Sequence, residues 1–313
     1  MNEILKAPFP YFGGKRRAAD LIWPRFGDVK NYVEPFAGSC AVLLARPHAP
    51  QIETVNDADC YLSNFWRALA AAPEEVASFA DWPVNEADLS ARHQWLVNQA
   101  EFRERMKVDP DYFDTKIAGW WVWGLCGWIG SGWCDTSKAT VGRQLPHLGG
   151  TSAGQGVNRQ LPHVGNAMLD YLLALSERFR RVRVACGDWK RVLGDSVTWR
   201  HGTTAILLDP PYADGAEVYQ NGGRSTFADV AKWAIENGAD ERLRICLCGY
   251  DGTFAVPDGW VEVPWRAEGG FGRQSRAEGG NVNAARERLW FSPGCPRPDA
   301  RKPQGSLFDR VIP

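Results

Sequence analysis

Short apolar runs that stop abruptly at polar or turn-forming residues recur along this chain. Ala205-Ile206-Leu207-Leu208 is followed at once by Asp209-Pro210-Pro211-Tyr212. An unbroken apolar run of this length predicts a strand buried on both faces of a parallel sheet. Proline cannot continue a central strand, so the backbone leaves the sheet at Asp209. Asn31 to Cys40 predicts another strand and then a small-residue turn, with a helix starting at Ala41. Ile52 to Asp57 and Arg244 to Tyr250 predict further strands, Arg181 to Trp189 returns to the strand rhythm with Asp188 at the tip, and a helix is expected over Arg16 to Trp23. Trp260 to Trp265 and Glu287 to Phe291 predict a closing antiparallel pair.

Between Cys60 and Ser176 this alternation stops. Asn64 to Ala72 and Ser90 to Val108 read as helices. Trp120, Trp121, Trp123, Trp128 and Trp133 crowd into a run too rich in glycine for an ordinary core helix, and most of these indoles are assigned to packing. The pattern gives an α/β fold: residues 1–59 and 177–293 form a Rossmann-like domain, 60–176 an inserted, mainly helical one, and 294–313 a Pro- and Arg-rich tail.

Composition narrows this picture little. The 313 residues are 44% hydrophobic, enough for a packed core. No apolar run approaches the roughly 18 residues of a membrane span, and the N-terminus lacks a signal-peptide core, so a cytoplasmic location is expected. The net charge of −1 offers no global attraction to nucleic acid, which leaves that task to local patches. Eight cysteines without a Cys-x-x-Cys pair read as buried thiols, and no metal site is expected.

The strand ends carry the candidate chemistry, because ligands of open α/β sheets sit beyond the carboxyl ends of the strands. At Asp209 a diproline fixes the carboxylate and leaves the Pro210 carbonyl without a ladder partner. Two acceptors side by side suit an NH2 group, and Tyr212 offers a face for a ring. An amino group on an aromatic ring is a poor nucleophile, and drawing its hydrogens towards acceptors frees its lone pair. The turn after the first strand and Asp57 at the tip of the second suit an adenosine-containing cofactor, the carboxylate accepting from ribose hydroxyls. No Gly-x-Gly-x-x-Gly is present, which argues against a dinucleotide. Asp188 at another strand tip has Trp189 beside it. Tyr11-Phe12-Gly13-Gly14-Lys15 read alone is a turn.

In the insertion, Arg143-Gln144-Leu145-Pro146-His147 recurs as Arg159-Gln160-Leu161-Pro162-His163 within a stretch free of Asp and Glu from Thr136 to Leu169. Arg and Gln are side chains that read guanine and adenine edges. Lys138, Arg143, Gln144, Arg159 and Gln160 are therefore candidates for contact with double-stranded DNA, against the alternative of a solvated loop.

Taken together and in this order, Tyr11-Phe12-Gly13-Gly14-Lys15, Glu34-Pro35-Phe36-Ala37-Gly38-Ser39, Asn56-Asp57, Gly187-Asp188-Trp189 and Asp209-Pro210-Pro211-Tyr212 resemble the DNA adenine methyltransferases of the Dam type (D12 class), particularly the stand-alone enzymes of phages and prophages. The resemblance extends to about Pro293. It implies an S-adenosylmethionine-dependent methyltransferase sheet, with the Gly-Gly-Lys and Glu-Pro-Phe segments at the cofactor. Tyr11 and Lys15 are implied at its methionine part, Asp57 at its ribose, and Asp188 with Trp189 at its adenine. The insertion is implied as the target-recognition domain, Asp209 and Pro210 as the holders of the target amino group, and Tyr212 as the platform for a flipped base. Two residues depart from the family pattern: Cys40 stands where a second glycine is usual, and Tyr11 where tryptophan is usual. Gln304, Leu307 and Phe308 near the end of the tail resemble a sliding-clamp docking peptide.

The function expected is methyl transfer from S-adenosylmethionine to N6 of adenine in DNA by base flipping. N4-cytosine methylation, RNA adenine methylation and a cofactor-bound DNA-binding module without turnover are the alternatives.

Overall fold

The computed structural model describes residues 5–9, 11, 15–109, 111–128, 132–135, 167–212, 223–265 and 286–298. Seven strands form one sheet: β1 (Asn31–Glu34), β2 (Ile52–Asp57), β3 (Val182–Cys186), β4 (Thr204–Leu208), β5 (Leu243–Tyr250), β6 (Val261–Pro264) and β7 (Glu287–Phe291). Their order is β3-β2-β1-β4-β5-β7-β6. The first five run parallel, and β7 lies antiparallel between β5 and β6. This matches the α/β expectation and the predicted closing pair. The chain reverses direction across the sheet between β1 and β4, where an open α/β sheet offers its ligand crevice.

The burial pattern explains the order. Every residue of β1 and β4 is buried, as central parallel strands require. The edges are polar: Arg183 is exposed on β3, and β6 ends in Pro264, both of which discourage pairing with another chain. Strand alternation divides the core in two. Tyr32, Ala205, Leu207, Cys246 and Cys248 belong to one cluster with the helices before β3. Val33, Ile206, Leu208, Ile245 and Leu247 pack on the other face with Phe227, Val230 and Ala234.

On the first side lie α1 (Ala19–Phe26), α2 (Ala41–Leu44), α3 (Cys60–Ala71), α4 (Pro73–Ala80), α5 (Glu86–Val97), α6 (Ala100–Val108), α7 (Thr115–Gly127) and α8 (Ala167–Phe179), with α4 to α7 packed on other helices, and the second is covered by α9 (Gly223–Asn237). Trp66 of α3 stacks on Phe179 of α8, centroids 4.1 Å apart, and α3 also packs on β2 and β3. Asp59 caps α3, accepting from the Tyr61 N–H at 2.8 Å. The Asn64 side chain exchanges two hydrogen bonds with the Asp114 backbone, which fixes the start of α7 against α3.

Three expectations are corrected. The helix expected over Ser90 to Val108 is two, because Gln99 leaves the helical region and the Asn98 amide bonds back to the Gln94 carbonyl at 2.8 Å. The first helix begins at Ala19 rather than Arg16 and runs through Pro24 to Phe26. The Trp- and Gly-rich run does form a core helix, α7. Its glycines are what admit the neighbours: a Cβ on Gly119 would lie 2.4 Å from Phe79 Cβ, and one on Gly124 1.9 Å from the Trp133 ring. Trp121 and Trp123 are buried there, so packing is the role of these indoles.

All eight cysteines are buried and free. No helix among the described residues is long and apolar enough to cross a membrane.

Candidate active site

The carboxyl ends of β1, β2 and β3 are stitched together by one side chain. Buried Asn56 donates from Nδ2 to the carbonyls of Pro35 and Gly187, 3.0 Å in each case. Its backbone carbonyl accepts from Ala37 at 2.9 Å, and that of Asp57 accepts from Gly187 at 3.0 Å. The three turns implicated by sequence at the cofactor therefore meet along one edge.

Asp57 is half-buried at the tip of β2. Its two carboxylate oxygens accept from the N–H groups of Gly38 (3.1 Å) and Asp59 (2.9 Å). Burial pushes its pKa up to about 6, and the charge of Asp59 adds to this against the N–H bonds. Gly38 has φ +47°, and the Tyr11 ring lies so close that a Cβ there would meet it at 2.7 Å. Cys40, where the family pattern favours glycine, also takes a left-handed conformation, φ 53°. The helix predicted after this turn is a single turn, Ala41–Leu44.

Asp188 is exposed at the end of β3 and accepts from the Lys190 N–H at 2.8 Å, opening a short 3-10 turn. Trp189 beside it is buried, 6.1 Å from the Phe36 ring. Pro35, Ala37 and Ser39 are buried in the turn between them. Glu34 is buried too. Burial pushes its carboxyl well above the usual range, opposed by a bond from the Tyr32 hydroxyl at 3.1 Å, and the charge of Asp209 raises it further.

The strand β4 delivers Asp209 into a cluster that the sequence pattern reveals only in part. Lys15 Nζ stands 3.1 Å from Asp209 Oδ1 and 3.4 Å from Glu287 Oε2. The Tyr212 hydroxyl donates to the same two carboxylates, at 3.2 and 3.4 Å. The Tyr212 ring meets Tyr250 edge-on, centroids 4.6 Å apart, with Lys15 Nζ 5.0 Å from its centre. Lys15 is only 4% exposed. Burial alone lowers a lysine pKa, but the charges of Asp209 and then Glu287 outweigh it and hold the ammonium protonated. Burial raises both carboxyls, and Lys15 opposes it in each. Both contacts to Asp209 fall on Oδ1, which leaves Oδ2 without a partner among the described residues.

Glu287 is legible in the sequence only as the first residue of a strand; a lone acidic residue opening an apolar run is its single signal. Of the predicted site residues, Phe12, Gly13 and Gly14 lie outside the described residues. So do the DNA-contact candidates Lys138, Arg143, Gln144, Arg159 and Gln160, and the tail residues Gln304, Leu307 and Phe308.

A mainly parallel sheet with acidic residues along its carboxyl edge, and an Asp-Pro-Pro-Tyr at the switch between β1 and β4, has the frame of a Rossmann-like methyltransferase. Residues 11–114 match the family model of the D12 class N6 adenine-specific DNA methyltransferases. The chain thus carries a domain of that family and is an enzyme that methylates adenine N6 in DNA, using a methyl donor. The match takes in Lys15, Glu34 and Asp57 and ends before Asp209. No curated protein matches the chain.

Proposed function

We propose that the methyl donor is S-adenosylmethionine and that the target adenine is flipped out of duplex DNA to Asp209. The observation that supports this reading most is the division of labour on the Asp209 carboxylate. Oδ1 is committed to Lys15 and Tyr212, and Oδ2 is open among the described residues to accept an N6 hydrogen. The Pro210 carbonyl is the second acceptor. Two acceptors on one amino group draw its lone pair out of the ring and towards the methyl group. A base inside a duplex cannot reach a strand tip, so flipping is required, at about a few kcal/mol. Stacking on an aromatic ring offsets about 1–3 kcal/mol of that. Tyr212 is 7% exposed, so its use as the platform calls for its ring to be uncovered as the base enters.

The donor's part is to supply an activated methyl on a sulfonium. The residues along the β1–β3 edge fit its adenosine. Asp57 is the acceptor for the ribose hydroxyls, Asp188 for the adenine amino group, and Trp189 with Phe36 flanks the ring. Asn56 Oδ1, buried without a partner among the described residues, is a further acceptor beside them. Tyr11 packs over Gly38 at the methionine end. The contacts of Lys15 favour a role at the reacting amine over one at the methionine carboxylate.

In this reading, residues 1–59 and 177–293 are the catalytic part and 60–176 the recognition part, with α3 and α8 also serving the sheet. The segment bearing Arg143, Gln144, Arg159 and Gln160 is the reader of DNA sequence, and 294–313 is a tail that docks a sliding clamp through Gln304, Leu307 and Phe308. Deleting residues 304–313 should abolish clamp pull-down, and undiminished capture would refute the docking.

The decisive experiment incubates the purified protein with unmodified genomic DNA and S-adenosylmethionine. Single-molecule sequencing then maps N6-methyladenine. Marks within a short motif support the reading and make the Arg-Gln repeat the reader. Marks in nearly every context support the chemistry and recast the insertion as a backbone grip. DNA left without marked adenines would reject it.

A further inference from the structure

We propose that Glu287 is a positioning residue for methyl transfer, acting through Lys15 to keep a net negative charge beside the reacting amine. The inference rests on the reading that Asp209 receives the target N6 amino group. As the N6 lone pair forms its bond to the methyl carbon, the electron pair of the S–CH3 bond leaves with sulfur. Nitrogen becomes cationic until one of its protons passes to solvent water. The groups beside it must therefore favour positive charge in the transition state.

Lys15 on its own works against that. An ammonium 3.1 Å from Asp209 Oδ1 cancels the carboxylate's charge where it is needed. The second carboxylate changes the balance. Glu287 Oε2 lies 3.4 Å from the same ammonium, so among the described residues one cation faces two anions, and these three groups sum to a formal charge of −1. The side chains of Lys15 and Glu287 are 3% and 8% exposed, so water screens these charges little. Tyr212 adds geometry: its hydroxyl bridges Asp209 and Glu287 and fixes their separation. Glu287 reaches this place because it opens β7, opposite Tyr250 at the end of β5. Lys15 then has a structural reason for its burial. It lets two carboxylates stand together that would otherwise repel each other and take up a proton.

The test is single-turnover methyl transfer at saturating S-adenosylmethionine and DNA. Glu287→Gln keeps an oxygen acceptor and removes the charge. It should slow transfer on the order of tenfold or more, with cofactor and DNA affinities unchanged. Glu287→Asp, which keeps the charge, should recover most of the rate. Lys15→Met removes the cation that Glu287 offsets, so Lys15→Met/Glu287→Gln should transfer no more slowly than Lys15→Met. This double variant leaves no unmatched cation in the cluster and serves even where Glu287→Gln does not fold. A wild-type rate for Glu287→Gln would overturn the proposal, as would a loss that adds in full to that of Lys15→Met. Either result leaves the methyltransferase reading standing, because wild-type transfer is measured alongside. Wild-type protein that methylates no DNA overturns both.

Discussion

The Gly38 backbone N–H donates to the Asp57 carboxylate at 3.1 Å, joining the turn after the first strand to the tip of the second. Burial raises Asp57 to about 6, so it titrates where cofactor binding is easily measured. A free aspartate loses its proton near pH 4. As pH rises from about 4 to about 6 the unfolded chain releases the proton before the folded one, and this group's contribution to stability falls. The carboxylate form, present above about pH 6, is the one that the proposed contact with ribose hydroxyls requires. Affinity for S-adenosylmethionine should therefore weaken as pH drops through about 6. Asp57→Asn should bind weakly and without that slope. Calorimetry from pH 5 to pH 8 checks this, and an equal slope in the variant would assign it to another group.

Asp209→Ala should reduce methyl transfer by at least about a hundredfold while leaving cofactor affinity close to wild type. The first effect follows from losing the open Oδ2 acceptor, and the second because the hydrogen bonds of the Asn56 stitch do not involve the Asp209 carboxylate. Labelled-methyl transfer and a binding titration on the same preparation separate the two. Comparable turnover in the variant would remove Asp209 from the mechanism.

Glu53 is 2% exposed within β2 and is held by two arginines. Arg46 Nη1 donates to it at 3.1 Å, and Arg178 donates at 2.6 and 2.9 Å from the end of α8. This fork fastens the return of the inserted segment to the sheet. Glu53→Ala leaves two cations without their shared anion and should cost about 3–5 kcal/mol, read from urea unfolding. A loss below about 1 kcal/mol would mean the pair behaves like a surface bridge.

Gly119→Ala tests the packing of α7. Helix propensity alone predicts a gain of about 1 kcal/mol. The added Cβ meets Phe79 and the Val76 carbonyl, at 2.4 and 2.8 Å. Overpacking should win, with a net loss of about 1–3 kcal/mol. A raised midpoint of thermal unfolding would show that α4 can move aside.

The parallel strands are legible in the sequence because burial on both faces makes them continuous apolar runs, and the turn residues after them mark where the backbone leaves the sheet. For that reason Asp57, Asp188 and Asp209 can be placed at strand ends from the order of residues alone. Glu287 cannot be singled out in this way, because its partners Lys15 and Tyr212 are distant in sequence and no local pattern announces them. The α7 helix is obscured for a related reason. Glycine lowers helix propensity locally, whereas the gain from close approach of Phe79 and Trp133 is tertiary. The break at Asn98-Gln99 is equally hidden, because its cause is a side-chain bond to the preceding turn.

The position of β7 in the sheet has a consequence for synthesis. Lys15 precedes the first strand, and Glu287, its second anion, opens the last of the seven in chain order. A ribosome completes the first five strands long before it makes the one that slots between β5 and β6. Until that insertion the contact between Lys15 and Glu287 cannot form. A product that stops before β7 thus lacks both the strand between β5 and β6 and the second carboxylate beside Lys15.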